Sequence, residues 1–100
     1  MVKKSLKKQA DIVEKHLHNK GFKHLFVLIR TNNIVIYSKD GSNIENRARL
    51  TFIQDSTFQL SMADHTGRWE MTPFQGDLDE LLKTITEDFS FALIDFDNFM

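Results

Sequence analysis

The sequence predicts an α+β fold: an antiparallel β-meander with two helices packed on one of its faces, in the order α-β-β-β-β-β-α-β. Three observations carry that expectation. Two stretches, near the start and towards the end of the 100 residues, repeat apolar side chains every three or four positions. Between them lie short runs rich in β-branched and aromatic residues that alternate apolar with polar. The single Pro and the four Gly all fall between periodic segments, so the connections are short. The whole chain, 1–100, is read as one domain, a length that can bury a core of its own.

The first helix is expected over residues 2–19. Val2, Leu6, Ala10, Val13 and Leu17 form one stripe, and Lys4, Lys7, Lys8 and Lys15 form a basic face away from it. Gly21 provides the left-handed residue that stops a helix. Leu25 to Arg30 and Ile34 to Ser38 read as a hairpin turning at Asn32-Asn33. After the turn cluster Asp40-Gly41-Ser42-Asn43, Arg47 to Ile53 and Thr57 to Met62 alternate, with Leu50, Phe52, Phe58, Leu60 and Met62 on one side. Asp64-His65-Thr66-Gly67 turns the chain into a short strand in which Trp69 and Met71 continue that apolar face, with Trp69 as core. Pro73 is expected to end this strand, because it cannot donate to a ladder. Asp77 and Glu80 match a capping box, and Leu78, Leu81, Leu82, Ile85 and Phe89 make the stripe of the second helix. Phe91 to Phe96 reads as a last strand, followed by a short tail.

Keeping apolar faces together sets Arg30 opposite Val35, Tyr37 opposite Arg49, Thr51 opposite Gln59 and Ser61 opposite Glu70. The face away from the helices then mixes Phe26, Leu28, Val35 and Tyr37 with Arg30, Arg47, Arg49, Arg68 and Glu70. Apolar and aromatic side chains interleaved with Arg are the composition of a contact surface. The expected function is therefore a small non-catalytic interaction module that associates with itself, or with another protein, through this outer sheet face.

The second reading is a nucleic-acid-associated accessory protein using the Lys-rich first helix together with the sheet Arg residues. It draws on a charge gradient. Residues 1–24 carry seven Lys against two acids, whereas residues 77–100 carry one Lys against seven acids, and the total is −1. The alternative account of the gradient is internal: the basic helix lies beside the acidic one and the pair attract weakly.

Other chemistry finds little footing. There is no Cys, so disulfides and thiolate nucleophiles are excluded, and a core without such staples fits a reducing compartment. His16 and His18 are two apart on a helix and face different ways, and no His-x-x-x-His pair accompanies them, so neither metal nor cofactor is expected. Isolated glycines build no phosphate-cradling loop, no strained nucleophile turn is present, and no enzyme activity is expected. The positive N-terminal residues precede no apolar stretch, and no segment approaches the roughly 20 apolar residues that span a bilayer. A cytoplasmic protein without membrane contact is the resulting expectation.

Overall fold

Amphipathic patterning places each element of the computed structural model, which describes residues 6–64 and 66–94. Helix α1 runs Lys7–Asn19 and buries Ala10, Val13 and Leu17. Five strands follow: β1 Leu25–Arg30, β2 Asn33–Asp40, β3 Asn43–Gln54, β4 Thr57–Ala63 and β5 Trp69–Gly76. They form one antiparallel sheet in the order β1-β2-β3-β4-β5. Helix α2, Leu78–Glu87, closes the layer, and the Asp77 carboxylate caps it by accepting the Glu80 N–H at 2.8 Å.

Both helices lie on the same face of the sheet. Val13 and Leu17 from α1 and Leu81, Leu82 and Ile85 from α2 meet Leu25, Ile34, Ile36, Leu50 and Leu60 in one cluster. α1 lies against β1, α2 against β4 and β5, and the helices touch each other. The α+β expectation is thus met in its five-strand meander and its two helices.

Its last strand is not met among the described residues. Ser90–Ala92 make one 3-10 turn instead. The carbonyls that a strand would give to a ladder are taken by side chains. Arg47 donates from Nη1 to the carbonyls of Ala92 (3.1 Å) and Ile94 (3.0 Å), and His24 Nε2 donates to that of Leu93 at 2.5 Å. Leu93 plugs the core with no exposed surface. Residues 95–100, which hold the end of the expected strand and the tail, lie outside the described residues, as do Lys4 and His65.

The register differs from the expected one in three places. Between β2 and β3, Arg49 pairs with Val35 rather than with Tyr37, a shift of two that keeps its face, and Tyr37 pairs with Asn46. The first hairpin turns at Thr31-Asn32, one residue earlier than expected, with Thr31 at φ 55°. Arg30 therefore pairs with Asn33, and Leu28 with Val35, a shift of two that keeps every face. At β4–β5 the shift is one, and it reverses the face. The Asp64 carboxylate accepts the N–H groups of Thr66 (2.8 Å) and Arg68 (3.0 Å), and Asp64 N–H donates to the Arg68 carbonyl at 2.8 Å. Gly67 supplies the left-handed residue at φ 86°. Asp64 and Arg68 thereby close the loop, so Trp69 pairs with Ala63, Glu70 with Met62 and Met71 with Ser61. Trp69 and Met71 sit on the outer face rather than in the core, and Glu70 sits on the helix face.

β5 also runs through Pro73. It is an edge strand, and Pro73 falls where the ladder slips between the Gln59–Gln75 and Ser61–Met71 pairs, so the missing N–H costs no ladder bond there. The Gln59 amide fills that slip, donating from Nε2 to the Leu60 and Thr72 carbonyls at 2.9 and 2.5 Å.

Candidate binding face of the sheet

The outer face is where chemically distinct side chains are brought together. A bulge in β3 is the first device that shapes it. Ile36 pairs with Ala48 but Tyr37 with Asn46, which leaves Arg47 as the extra residue. Arg47 turns to the helix face, where its side chain is 7 % exposed and reaches Ser38 Oγ from Nε (3.1 Å) and Nη2 (2.9 Å). It is therefore a structural residue and not part of the outer face. Glu45, opposite Ser38, lies on the same side, 3.5 Å from Arg47 Nη2.

The consequence is a separation of charge across the sheet. The strand acids are Asp40, Glu45 and Glu70, and pairing and alternation place all three on the helix face. The strand cations other than Arg47 are Arg30, Lys39 and Arg49, and all three lie on the outer face.

Two aromatic stations accompany those cations. At the β1–β2 end, the Phe26 and Tyr37 rings stack at a tilt, 5.7 Å between centroids, and Lys39 Nζ stands 5.7 Å from the Phe26 centroid. Towards β5, the Arg49 guanidinium lies 4.8 Å from the Trp69 ring centroid. Leu28 and Val35 lie between, and Met71, 75 % exposed, adjoins the second station. Phe26 is 40 % exposed, while Trp69, Tyr37 and Arg49 are half-buried.

A family model described as "Domain of unknown function (DUF3024)" matches residues 3–92. The chain belongs to this family. No curated protein and no solved structure matches it.

Of the residues singled out in this DUF3024 member, Phe26, Leu28, Arg30, Val35, Tyr37 and Arg49 share the outer face, and Arg47 and Glu70 do not. Arg68 is exposed in the β4–β5 turn. Lys7, Lys8 and Lys15 are exposed on α1, in the helix layer, so the sheet separates them from Arg30, Lys39 and Arg49. The basic face of α1 and the outer-face cations thus lie in different layers of the fold. Trp69, Lys39 and Met71 also lie on the outer face, to which the sequence reading did not assign them. The signal that finds Trp69 is the Asp64 side chain in the turn.

His18 Nε2 donates to the Leu25 carbonyl at 2.9 Å, and His24 is committed to Leu93. Among the described residues no group of three His or carboxylate side chains stands close enough to hold a metal. A cleft of about 480 Å³ opens beside the C-terminal turn, but Arg47, which lines it, is committed to Ser38 and to backbone carbonyls. No helix among the described residues is long and apolar enough to cross a membrane.

Proposed function

We propose that this chain is a non-catalytic binding module that holds single-stranded nucleic acid on the outer face of its sheet. The observation that carries the reading is the Arg49–Trp69 stack, set on the same open face as Phe26, Tyr37 and Lys39, with every strand carboxylate on the other side. Bases stack on aromatic side chains and on guanidinium planes whatever their sequence, and cations beside them neutralise the phosphates. The acids of α2 belong to the helix layer, behind the sheet. The low net charge of the whole chain is therefore no obstacle, since the local field decides the approach.

The same charge separation weighs against self-association through this face. A face-to-face pair would bring Arg49 and Lys39 of two copies into one interface with no strand carboxylate opposite them.

The test is titration of the protein with a fluorescent 15-nucleotide deoxythymidine oligomer across a salt series. Three outer-face cations predict a slope of log K against log salt of about −2, which is roughly a 20-fold loss between 50 and 200 mM salt. The double variant Arg30→Gln, Lys39→Gln should retain about one third of that slope. Absence of binding at 50 mM salt would refute the proposal. So would a concentration-dependent dimer in light scattering that Tyr37→Asp dissolves, which would return the face to self-association.

A further inference from the structure

Among the described residues, two donors of the outer face have no hydrogen-bond partner. Ser61 is 1 % exposed, and its Oγ has no hydrogen-bond partner. Arg49 Nε is closed from solvent and also has none. The two residues are direct partners across β3 and β4, on the same side of the sheet. Side chains so paired stand about 5 Å apart at Cβ, close enough for both donors to reach one atom between them.

A buried hydroxyl and a buried guanidinium N–H without acceptors are costly features, and the rest of this sheet avoids them. Gln59, the neighbouring outer-face residue of β4, uses its amide on backbone carbonyls and receives Gln75 Nε2 at 2.7 Å. Thr51, beside it, donates to Asn33 Oδ1 at 2.6 Å. Arg49 and Ser61 thus stand apart from their satisfied neighbours. Trp69 stands beside the pair. It pairs with Ala63, so it sits diagonally from Ser61, and its ring meets the Arg49 guanidinium across the Ser61 position.

We infer that Arg49 Nε and Ser61 Oγ form a subsite for one phosphate oxygen, roofed in the free protein by the Trp69 ring. The inference rests on the nucleic-acid reading and adds to it where a backbone phosphate is gripped and what uncovers the grip. An anionic oxygen satisfies both donors at once, and charge-assisted bonds to guanidinium are the strong kind. The ring that leaves the guanidinium is then free to stack on the base beside that phosphate. Trp69 is the sole Trp of the sequence, so its emission reports the movement directly.

The experiment compares wild type with Ser61→Ala and Arg49→Lys, using the 15-nucleotide deoxythymidine oligomer and an abasic oligomer of equal length. Ser61→Ala removes one donor at unchanged charge, and Arg49→Lys keeps the charge but has no Nε. Each should weaken binding of both oligomers about tenfold. The double variant should lose little more than either single, because the donors act on one atom. Wild-type Trp69 emission should change with the thymidine oligomer. Thermal melts of the variants confirm folding. Wild-type affinity in both single variants would overturn the subsite and leave the nucleic-acid reading standing. Equal wild-type affinity for the two oligomers, with the variants still impaired, would keep the subsite and refute base stacking. No binding of either oligomer would overturn both.

Discussion

Replacing Arg47 by Ala should be among the most damaging single changes in this chain, although no sequence pattern marks that residue as core. Its guanidinium joins Ser38 Oγ to the carbonyls of Ala92 and Ile94, and its side chain is 7 % exposed. Hydrogen bonds to a charged group contribute about 1.5–3 kcal/mol each, but removing the guanidinium also removes the cost of burying it. Glu45 adds little, since its side chain is 53 % exposed and exposed pairs contribute about 1 kcal/mol or less. Ser38 is 5 % exposed, so its hydroxyl is stranded by the change, whereas the turn carbonyls can be rewetted. The balance is a loss of about 3 kcal/mol. For a domain of this size it corresponds to a fall in Tm of about 12–24 °C. Urea denaturation followed by far-ultraviolet circular dichroism reads the loss, and amide exchange at Leu93, whose N–H donates to Ser90 at 2.9 Å, reads release of the C-terminal turn. Arg47→Lys should recover less than half, because an ammonium group lacks the fork that spans a hydroxyl and two carbonyls. A loss below about 1 kcal/mol for Arg47→Ala, or full rescue by Lys, would refute this account.

Three further outcomes follow from the geometry. Trp69→Ala should cost less than about 2 kcal/mol in urea denaturation, because a half-buried cation–π partner on the outer face is worth less than the roughly 3–5 kcal/mol of a core Trp; a core-sized loss would return Trp69 to the helix face. Thr31→Gly should raise stability by about 0.5–1 kcal/mol, since a β-branched residue at φ 55° is strained, and an unchanged or lower urea midpoint would contradict that. Asp77→Ala should cost about 1 kcal/mol through loss of the α2 cap, with an unchanged denaturant slope; a neutral result would mean that the 2.8 Å bond to Glu80 contributes nothing net.

How much of this was legible in the sequence depends on which interactions set each feature. Local periodicity placed α1, α2, β1 and the β3–β4 pair, and Thr51 does face Gln59. Those features follow from burial of one stripe or one side. Which face Trp69 occupies depends on a single residue of loop length, fixed by the Asp64 carboxylate collecting two backbone N–H groups. An alternating strand reads equally well in either phase, so composition does not choose its face. Arg47 leaves the expected outer face for a related reason: alternation does not register a bulge that inserts one residue in mid-strand. The expected last strand had the right residue types, and the contacts that hold those residues otherwise come from His24 and Arg47, 69 and 45 positions away.

The two edges of the sheet are guarded in unlike ways. β5 is guarded by its own covalent chemistry, since Pro73 and the slipped ladder offer an incoming chain no regular row of donors. β1, Leu-Phe-Val-Leu-Ile-Arg, has neither device. Its guard is α1, which lies against it and whose His18 occupies the Leu25 carbonyl. A helix can detach where a proline cannot. Six residues, five of them apolar and uncharged up to Arg30, would then face any other unfolded chain. Translation order works against that hazard. α1 leaves the ribosome before the strand it covers, and each later strand finds its neighbour already made. The meander can therefore be laid down one strand at a time, with its most adhesive segment sheltered from the outset.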